Sequence, residues 1–186
     1  MGALNPSNAR RAATLVATFA ACAVVYVGST QLARVVKLNL TDSMPLGLYL
    51  LRPAAIAPGR IVVACPPAAA ARLGLKNGYL LAGPCASGVA PVLKYVAATG
   101  GSRIRVSASG IAIGGRALAN SSAHRRDRCG RFIPRIADGT YRLSENQVWL
   151  YSPAPWSWDS RYFGPVWKNQ IVGAATPLLL IPKRLQ

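Results

Sequence analysis

The hydrophobic and polar positions set the first part of the chain apart from the rest. Residues 12–33, between Arg11 and Arg34, contain no charged residue and no proline. At about 1.5 Å rise per residue, a helix of this length crosses a hydrocarbon core of about 30 Å. The alternative is a cleaved signal peptide, but its apolar region usually has about 7–15 residues. The pattern therefore favours a retained transmembrane signal anchor over residues 12–33.

Beyond this segment, short apolar or alternating runs are separated by glycine and proline, which is typical of β-strands and turns. Little of this part has helical periodicity, except the segment 68–75. We therefore expect a mainly β domain over residues 37–186. The runs predict strands over 48–51, 60–64, 93–97, 104–107, 111–113 and 148–151, with a further strand pair over 167–181.

The short segment ahead of the anchor predicts the orientation of the chain. Residues 1–11 would most simply remain as a cytoplasmic tail, which places 37–186 across the inner membrane, in the periplasm of a Gram-negative bacterium. The flanking charges do not decide this, because basic residues lie on both sides of the anchor.

A periplasmic domain would place its cysteines in an oxidising compartment. Cys65 and Cys85 each lie beside a proline at the end of an apolar run, which favours a disulfide between them. The alternative is that these two and Cys129 are buried free thiols.

The composition excludes several kinds of chemistry. The chain has 22 Lys and Arg against 5 Asp and Glu, one His and a net charge of +17. The scattered acids argue against a two-metal site or a paired-carboxylate glycosidase. The single His and the absence of a C-x-x-C pair argue against a zinc site. We expect no metal and no cofactor.

The positive charge suggests a non-enzymatic alternative. A membrane-anchored basic module of a conjugation apparatus could bind DNA or anionic lipid through the cluster Arg125-Arg126-Asp127-Arg128. The cluster lacks an aromatic stacking pattern, so no specific nucleic acid is expected as a partner. Attraction to the anionic surface of the inner membrane remains an expectation.

A serine hydrolase would need a base, and the candidates are His124 and five lysines. His124 lies in a polar, basic stretch that predicts a solvated loop without an orienting carboxylate. Lys94 lies in the apolar run 92–97, where burial disfavours the ammonium form. No Asp or Glu occurs between residues 43 and 126, so no acid near in sequence holds Lys94 charged. The alternative is a lysine on the solvent face of the strand.

Three short motifs occur in order behind the predicted anchor. They are Thr41-Asp42-Ser43-Met44-Pro45, Lys94-x-Val-x-Ala-x-x-Gly and Ser157-x-Asp159-Ser160-Arg161-x-x-Gly164. Together they resemble the type I signal peptidase family of membrane-anchored Ser/Lys proteases. The resemblance covers nearly the whole chain and is closest to the conjugative-transfer branch, the TraF-type peptidases that mature plasmid-encoded pilins. It implies a signal-peptidase-like β domain.

The resemblance also implies roles for single residues. Ser43 would be the nucleophile and Lys94 the general base, while Thr41 would donate to the oxyanion together with the N–H of Ser43. Ser157 would orient the lysine amine, and Asp159 and Arg161 would support the site. Asp159 could brace Arg161 or position a substrate terminus, and both roles stay open.

The implied substrate is a membrane-delivered pilin, or another exported precursor, with small residues at the cleavage site. Its acyl-enzyme could be hydrolysed or converted into a cyclic pilin. A general leader peptidase is the alternative, but Tyr95 and Tyr151-Ser152-Pro153 depart from the residues that such enzymes usually carry at these places. These departures are compatible with the pilin-processing branch.

Overall fold

The structure is a computed structural model that describes residues 15–23, 25, 26, 28 and 35–182. They belong to two units, Met1–Lys37 and Leu38–Gln186. Within the first unit, residues 15–23 are helical and exposed. No helix among the described residues is both long and apolar enough to cross a bilayer. The predicted tail, 1–11, and much of the predicted anchor, 12–33, lie outside the described residues.

From residue 36 onward the described chain is mainly β, as predicted. The elements are β1 (Val36–Asn39), β2 (Gly47–Arg52), β3 (Ile61–Ala64), α1 (Ala68–Asn77), β4 (Val92–Thr99), β5 (Arg103–Ser107), β6 (Gly110–Ile113), β7 (Arg116–Ala117), β8 (Gly139–Arg142), β9 (Gln147–Tyr151), α2 (Ser160–Phe163), β10 (Val166–Trp167), a 3₁₀ turn (Lys168–Gln170) and β11 (Ile171–Leu180). One sheet has the order β1-β2-β11-β3-β4-β9-β10 and the other the order β7-β6-β5-β8.

Strand β4 lies inside the larger sheet, where it pairs antiparallel with β3 and β9. Its residues alternate between fully and partly buried, so every second side chain points into the core. One hydrophobic cluster forms where β3, β4, β9 and β10 meet, and it includes Val62, Val96, Leu150 and Val166. This packing fixes the strand that carries Lys94.

The C-terminal segment departs from the prediction. We expected a strand pair over 167–181, but the structure has a 3₁₀ turn followed by the single long strand β11. This strand pairs with both β2 and β3, while β10 pairs with β9. The register against β2 shifts between Pro177 and Leu179, because proline has no N–H for the ladder. The predicted strand pair is therefore wrong, because the strand continues through this irregularity.

A disulfide joins Cys65 and Cys85. It closes the excursion between β3 and β4, which contains α1. Ala71 of this helix packs against Cys85 and Val89 in a small separate cluster. Cys129, by contrast, is a free and exposed thiol. The disulfide therefore holds a segment that has only a small apolar core of its own.

Removing this disulfide should destabilise the domain. The bridge closes a sequence separation of 20 residues, and a loop of that size corresponds to about 3 kcal/mol of unfolding free energy. The double substitution Cys65→Ser/Cys85→Ser should therefore lower the melting temperature by roughly 10 °C, measured by circular dichroism without reductant. Cys129→Ser is the matched control and should leave it unchanged. An unchanged melting temperature in the double variant would contradict this account.

Candidate active site

Ser43 and Lys94 meet although they are far apart in the sequence. Ser43 lies in the loop between β1 and β2, and Lys94 is on the buried face of β4. The Nζ atom of Lys94 lies 2.8 Å from the Oγ atom of Ser43, within hydrogen-bond distance. Lys94 is only 3% exposed, so its amine is removed from water. The arrangement places a hydroxyl against a desolvated amine.

Burial lowers the pKa of Lys94 from its usual 10.5 to about 8, because desolvation penalises the ammonium form. Two charged groups act in opposite directions: Asp159 raises the pKa and Arg161 lowers it. Folding therefore brings a carboxylate toward Lys94 from outside the segment 43–126, which contains no acid. The adjacent guanidinium opposes its effect.

The hydroxyl of Thr41 lies beside the same serine. Its Oγ1 atom is 3.2 Å from the Oγ of Ser43 and donates to the Oδ1 of Asn39 at 2.8 Å. A second contact holds the far end of the loop, where the hydroxyl of Tyr49 donates to the carbonyl of Pro45 at 2.7 Å. The loop is therefore held from both strands that flank it.

Asp159 and Arg161 form a fully buried ion pair. The guanidinium donates through Nε and Nη2 to the two carboxylate oxygens, both at 2.9 Å. The same carboxylate accepts the backbone N–H groups of Ser152 and Arg161, and so caps the start of α2. Both oxygens of Asp159 thus have protein partners, which favours bracing over contact with a substrate terminus.

The remaining donors of Arg161 hold backbone carbonyls from two loops. Its Nη1 donates to the carbonyl of Asn120 at 2.7 Å, and its Nη2 lies within hydrogen-bond distance of the carbonyls of Ser152, Ala154 and Ser157. Charge-assisted bonds of this kind are stronger than neutral ones. One side chain therefore fixes the segment that precedes α2.

Ser152 connects this pair to the nucleophile loop. Its hydroxyl donates to the carbonyl of Ser43 and accepts the N–H of Ala154. Ser157 behaves differently from the expectation: it is buried, but its Oγ has no hydrogen-bond partner among the described residues. The predicted hydrogen bond from Ser157 to the lysine amine is thus missing.

Two supporting residues, Asn39 and Ser152, were not predicted. Their partners are mostly backbone groups, which are the same in every sequence, so no pattern of side chains marks them. His124 was predicted to be solvated but is half-buried, with its ring stacked on Trp156 at 3.9 Å between centroids. Within the described part of the chain, no three His, Cys, Asp or Glu residues are grouped to hold a metal ion.

These features define a peptidase-like β fold with a serine and a lysine in contact, and the sequence comparisons agree. The family model described as signal peptidase, peptidase S26, matches residues 9–179. The chain therefore belongs to the S26 family of signal peptidases.

Several relatives are conjugation proteins. A "Plasmid transfer protein TraF" of Escherichia coli is 33% identical over 93% of this chain and 98% of its own. A "Conjugal transfer protein TraF" of Agrobacterium tumefaciens is 37% identical over 84% of this chain and 90% of its own. A crystal structure of a signal peptidase I from Enterococcus faecalis is 19% identical, with a TM-score of 0.40, over 67% of this chain and 100% of that one. The predicted resemblance to the TraF branch is confirmed.

The buried amine should reduce stability below pH 8. Between about pH 8 and 10.5 the unfolded chain keeps a proton that folded Lys94 has lost, so the unfolding free energy rises with pH. Replacing the amine by an apolar group, Lys94→Met, should therefore stabilise the protein at pH 7 by roughly 3 kcal/mol. This gain should shrink as the pH rises toward 10.5, as measured by urea unfolding.

Ser43→Ala is the control for this experiment, since it retains the amine and should retain the pH dependence. A constant difference between Lys94→Met and the wild type at all pH values would show that the charge of Lys94 is not penalised by folding.

Proposed function

We propose that the chain is a serine endopeptidase with a Ser43/Lys94 dyad that processes a pilin precursor for conjugative transfer. The observation that carries this proposal is the 2.8 Å contact between the Oγ of Ser43 and the Nζ of the buried Lys94. With a pKa lowered to about 8, a useful fraction of the amine is neutral near physiological pH and able to accept a proton.

The reaction begins when the amine of Lys94 takes the hydroxyl proton of Ser43. The serine oxygen then attacks the scissile carbonyl, forming a C–O bond and moving the carbonyl electrons onto oxygen. The N–H of Ser43 donates to this oxyanion, and the hydroxyl of Thr41 joins it by turning its single proton away from the Oδ1 of Asn39. When the C–N bond breaks, the ammonium of Lys94 returns its proton to the leaving amine.

The resulting ester on Ser43 has two possible acceptors. Water gives simple cleavage of the precursor, whereas the amino terminus of the same substrate forms a new peptide bond and gives a cyclic product. In both cases Lys94 removes a proton from the attacking group. Because the ester preserves most of the free energy of the cleaved amide, cyclisation needs no additional energy source.

The supporting residues keep this geometry without touching the substrate. Asp159 and Arg161 brace the loop before α2, and Ser152 links that loop to the carbonyl of Ser43. Ser157 is buried beside this network, and its hydroxyl has no hydrogen-bond partner in the part of the chain that the structure describes. We assign it the role of orienting the amine of Lys94 in the working enzyme.

Conjugation is proposed because the relatives at 33% and 37% identity carry transfer-protein names. We place residues 12–33 in the inner membrane as a signal anchor and the catalytic domain in the periplasm. The disulfide between Cys65 and Cys85 suits an oxidising compartment. The substrate would be delivered at the membrane and carry small residues before the scissile bond, and the net charge of +17 would favour the anionic membrane surface.

Loss of either dyad residue should abolish processing. Ser43→Ala removes the nucleophile and Lys94→Ala removes the base, so the mass of a co-expressed pilin precursor should remain that of the unprocessed chain. With the wild-type enzyme, mass spectrometry should show loss of a leader or tail. A further loss of one water from the mature chain identifies cyclisation.

The matched controls are Ser122→Ala and Lys76→Ala, which alter an exposed serine and an exposed lysine. Both should process the precursor at the wild-type level. Full processing by Ser43→Ala or Lys94→Ala would contradict the dyad. Processing of general secretory precursors, but not of pilin, would favour the leader-peptidase alternative.

The pH dependence of kcat/KM provides a separate test. Since the base must be neutral, kcat/KM for a fluorogenic peptide with alanine before the scissile bond should rise with pH and level off above about 8. A rise that continues toward the usual 10.5 of a lysine would mean that Lys94 is hydrated in the working enzyme.

A further inference from the structure

The carboxamide of Asn39 lies at the centre of the nucleophile loop. Asn39 is the last residue of β1 and is only 8% exposed. Its Nδ2 atom lies 3.0 Å from each of the backbone carbonyls of Thr41, Met44 and Pro45, and these three acceptors share its two N–H donors. A single side chain thus holds residues on both sides of Ser43.

The other end of the same carboxamide faces Thr41. The Oδ1 atom of Asn39 accepts the hydroxyl of Thr41 at 2.8 Å and its backbone N–H at 3.3 Å. Because the donors and acceptors of the loop lie at opposite ends of the amide, only one orientation of the carboxamide satisfies them. Neither a carboxylate nor an apolar side chain can supply this combination.

These contacts bear on catalysis through geometry. The hydroxyl of Thr41 is 3.2 Å from the Oγ of Ser43, and the bond to Asn39 determines where that hydroxyl points. The carbonyl of Met44, directly after Ser43, is held by the amide nitrogen of Asn39. A displacement of about 1 Å in a reacting group can cost about 10²-fold in rate.

We propose that Asn39 is a positioning residue that sets the Oγ of Ser43 against the Nζ of Lys94 and holds the side chain of Thr41 beside Ser43. This inference rests on the proposed peptidase function and deepens it. Asn39 does not touch the substrate in this assignment. It acts through Thr41 and through the loop backbone.

Tyr49 offers a matched comparison. Its hydroxyl also holds the loop, through the carbonyl of Pro45 at 2.7 Å, but it makes no hydrogen bond to Thr41. Tyr49→Phe therefore removes one bond that holds the loop while leaving all contacts of Asn39 in place. If general loosening of the loop were enough to stop catalysis, Tyr49→Phe and Asn39→Ala should have similar effects.

The experiment measures kcat and KM of the full chain with the fluorogenic alanine peptide as a function of pH. Asn39→Ala should lower kcat by about 10²-fold, with KM within about threefold, and the rise of kcat/KM near pH 8 should stay in place because Lys94 remains buried. Tyr49→Phe, which loses one hydrogen bond to the loop but none to Thr41, should lower kcat by no more than about tenfold, clearly less than Asn39→Ala. A shift of the rise toward pH 10.5 in Asn39→Ala would overturn the proposal, since it would indicate a hydrated site.

A double-mutant cycle with Thr41→Val tests the route of action. Thr41→Val alone should lower kcat by about 10²-fold. If Asn39 acts through Thr41, adding Asn39→Ala should lower kcat by no more than a further tenfold, less than its effect alone. If kcat of the double variant falls by the product of the two single effects, Asn39 does not act through Thr41. Wild-type kcat in Asn39→Ala would overturn the positioning role.

Asn39→Asp keeps the shape and the acceptor for Thr41 but removes both N–H donors that hold the loop carbonyls, so it provides a second variant if Asn39→Ala does not fold. It should also lower kcat, by at least tenfold, and wild-type kcat in this variant would count against the proposal. Failure of the proposed function has a different signature: the wild type would not cleave the peptide, or Ser43→Ala would cleave it equally well.

Discussion

The site depends on one constraint, the burial of a lysine amine in the core of a β-sheet. Lys94 lies on the same buried face of β4 as Val92 and Val96, where an apolar side chain would be more stable. Its amine escapes the full cost of a buried charge by releasing its proton at a lower pH. A hydrogen bond to Ser43 gives the amine a partner. The residue that we propose as the general base is therefore also a local defect of the core.

The buried amine also explains why the nearby charges, Asp159 and Arg161, occur as an ion pair. An isolated carboxylate close to Lys94 would stabilise the ammonium and remove the base. Asp159 is instead bound through both oxygens by Arg161, and Arg161 opposes its effect on the pKa of Lys94. A buried ion pair contributes little net stability but is costly to break. Here it organises the loop before α2, and its two charges shift the pKa of Lys94 in opposite directions.

The sequence predicted the fold where the pattern of side chains was sufficient. The alternating and apolar runs gave β2, β3, β4, β5, β6 and β9, because these strands bury a regular face. Strand β8 was missed, since its residues are mostly exposed and carry no apolar face. The irregularity at Pro177 could not be predicted from the local sequence either, because it depends on the pairing of β11 with β2. Pairing partners are a property of the folded chain.

The residues of the candidate site could likewise be predicted only in part from the sequence. An apolar strand containing one lysine drew attention to Lys94 from the sequence alone, whereas Ser43 stood out from other loop serines only through the resemblance to signal peptidases. Asn39 and Ser152 could not be found either way, since they act on backbone carbonyls, which look alike in every sequence. The number of acids in the sequence likewise does not predict the charge around Lys94. In the described part of the chain, Asp127, Asp138 and Asp159 each form an ion pair with an arginine, so much of the small negative charge is already neutralised locally. The effect of a carboxylate on the pKa of a buried amine therefore depends on the ion-pair partner of that carboxylate as much as on its distance from the amine. Only the folded structure shows which partner it has.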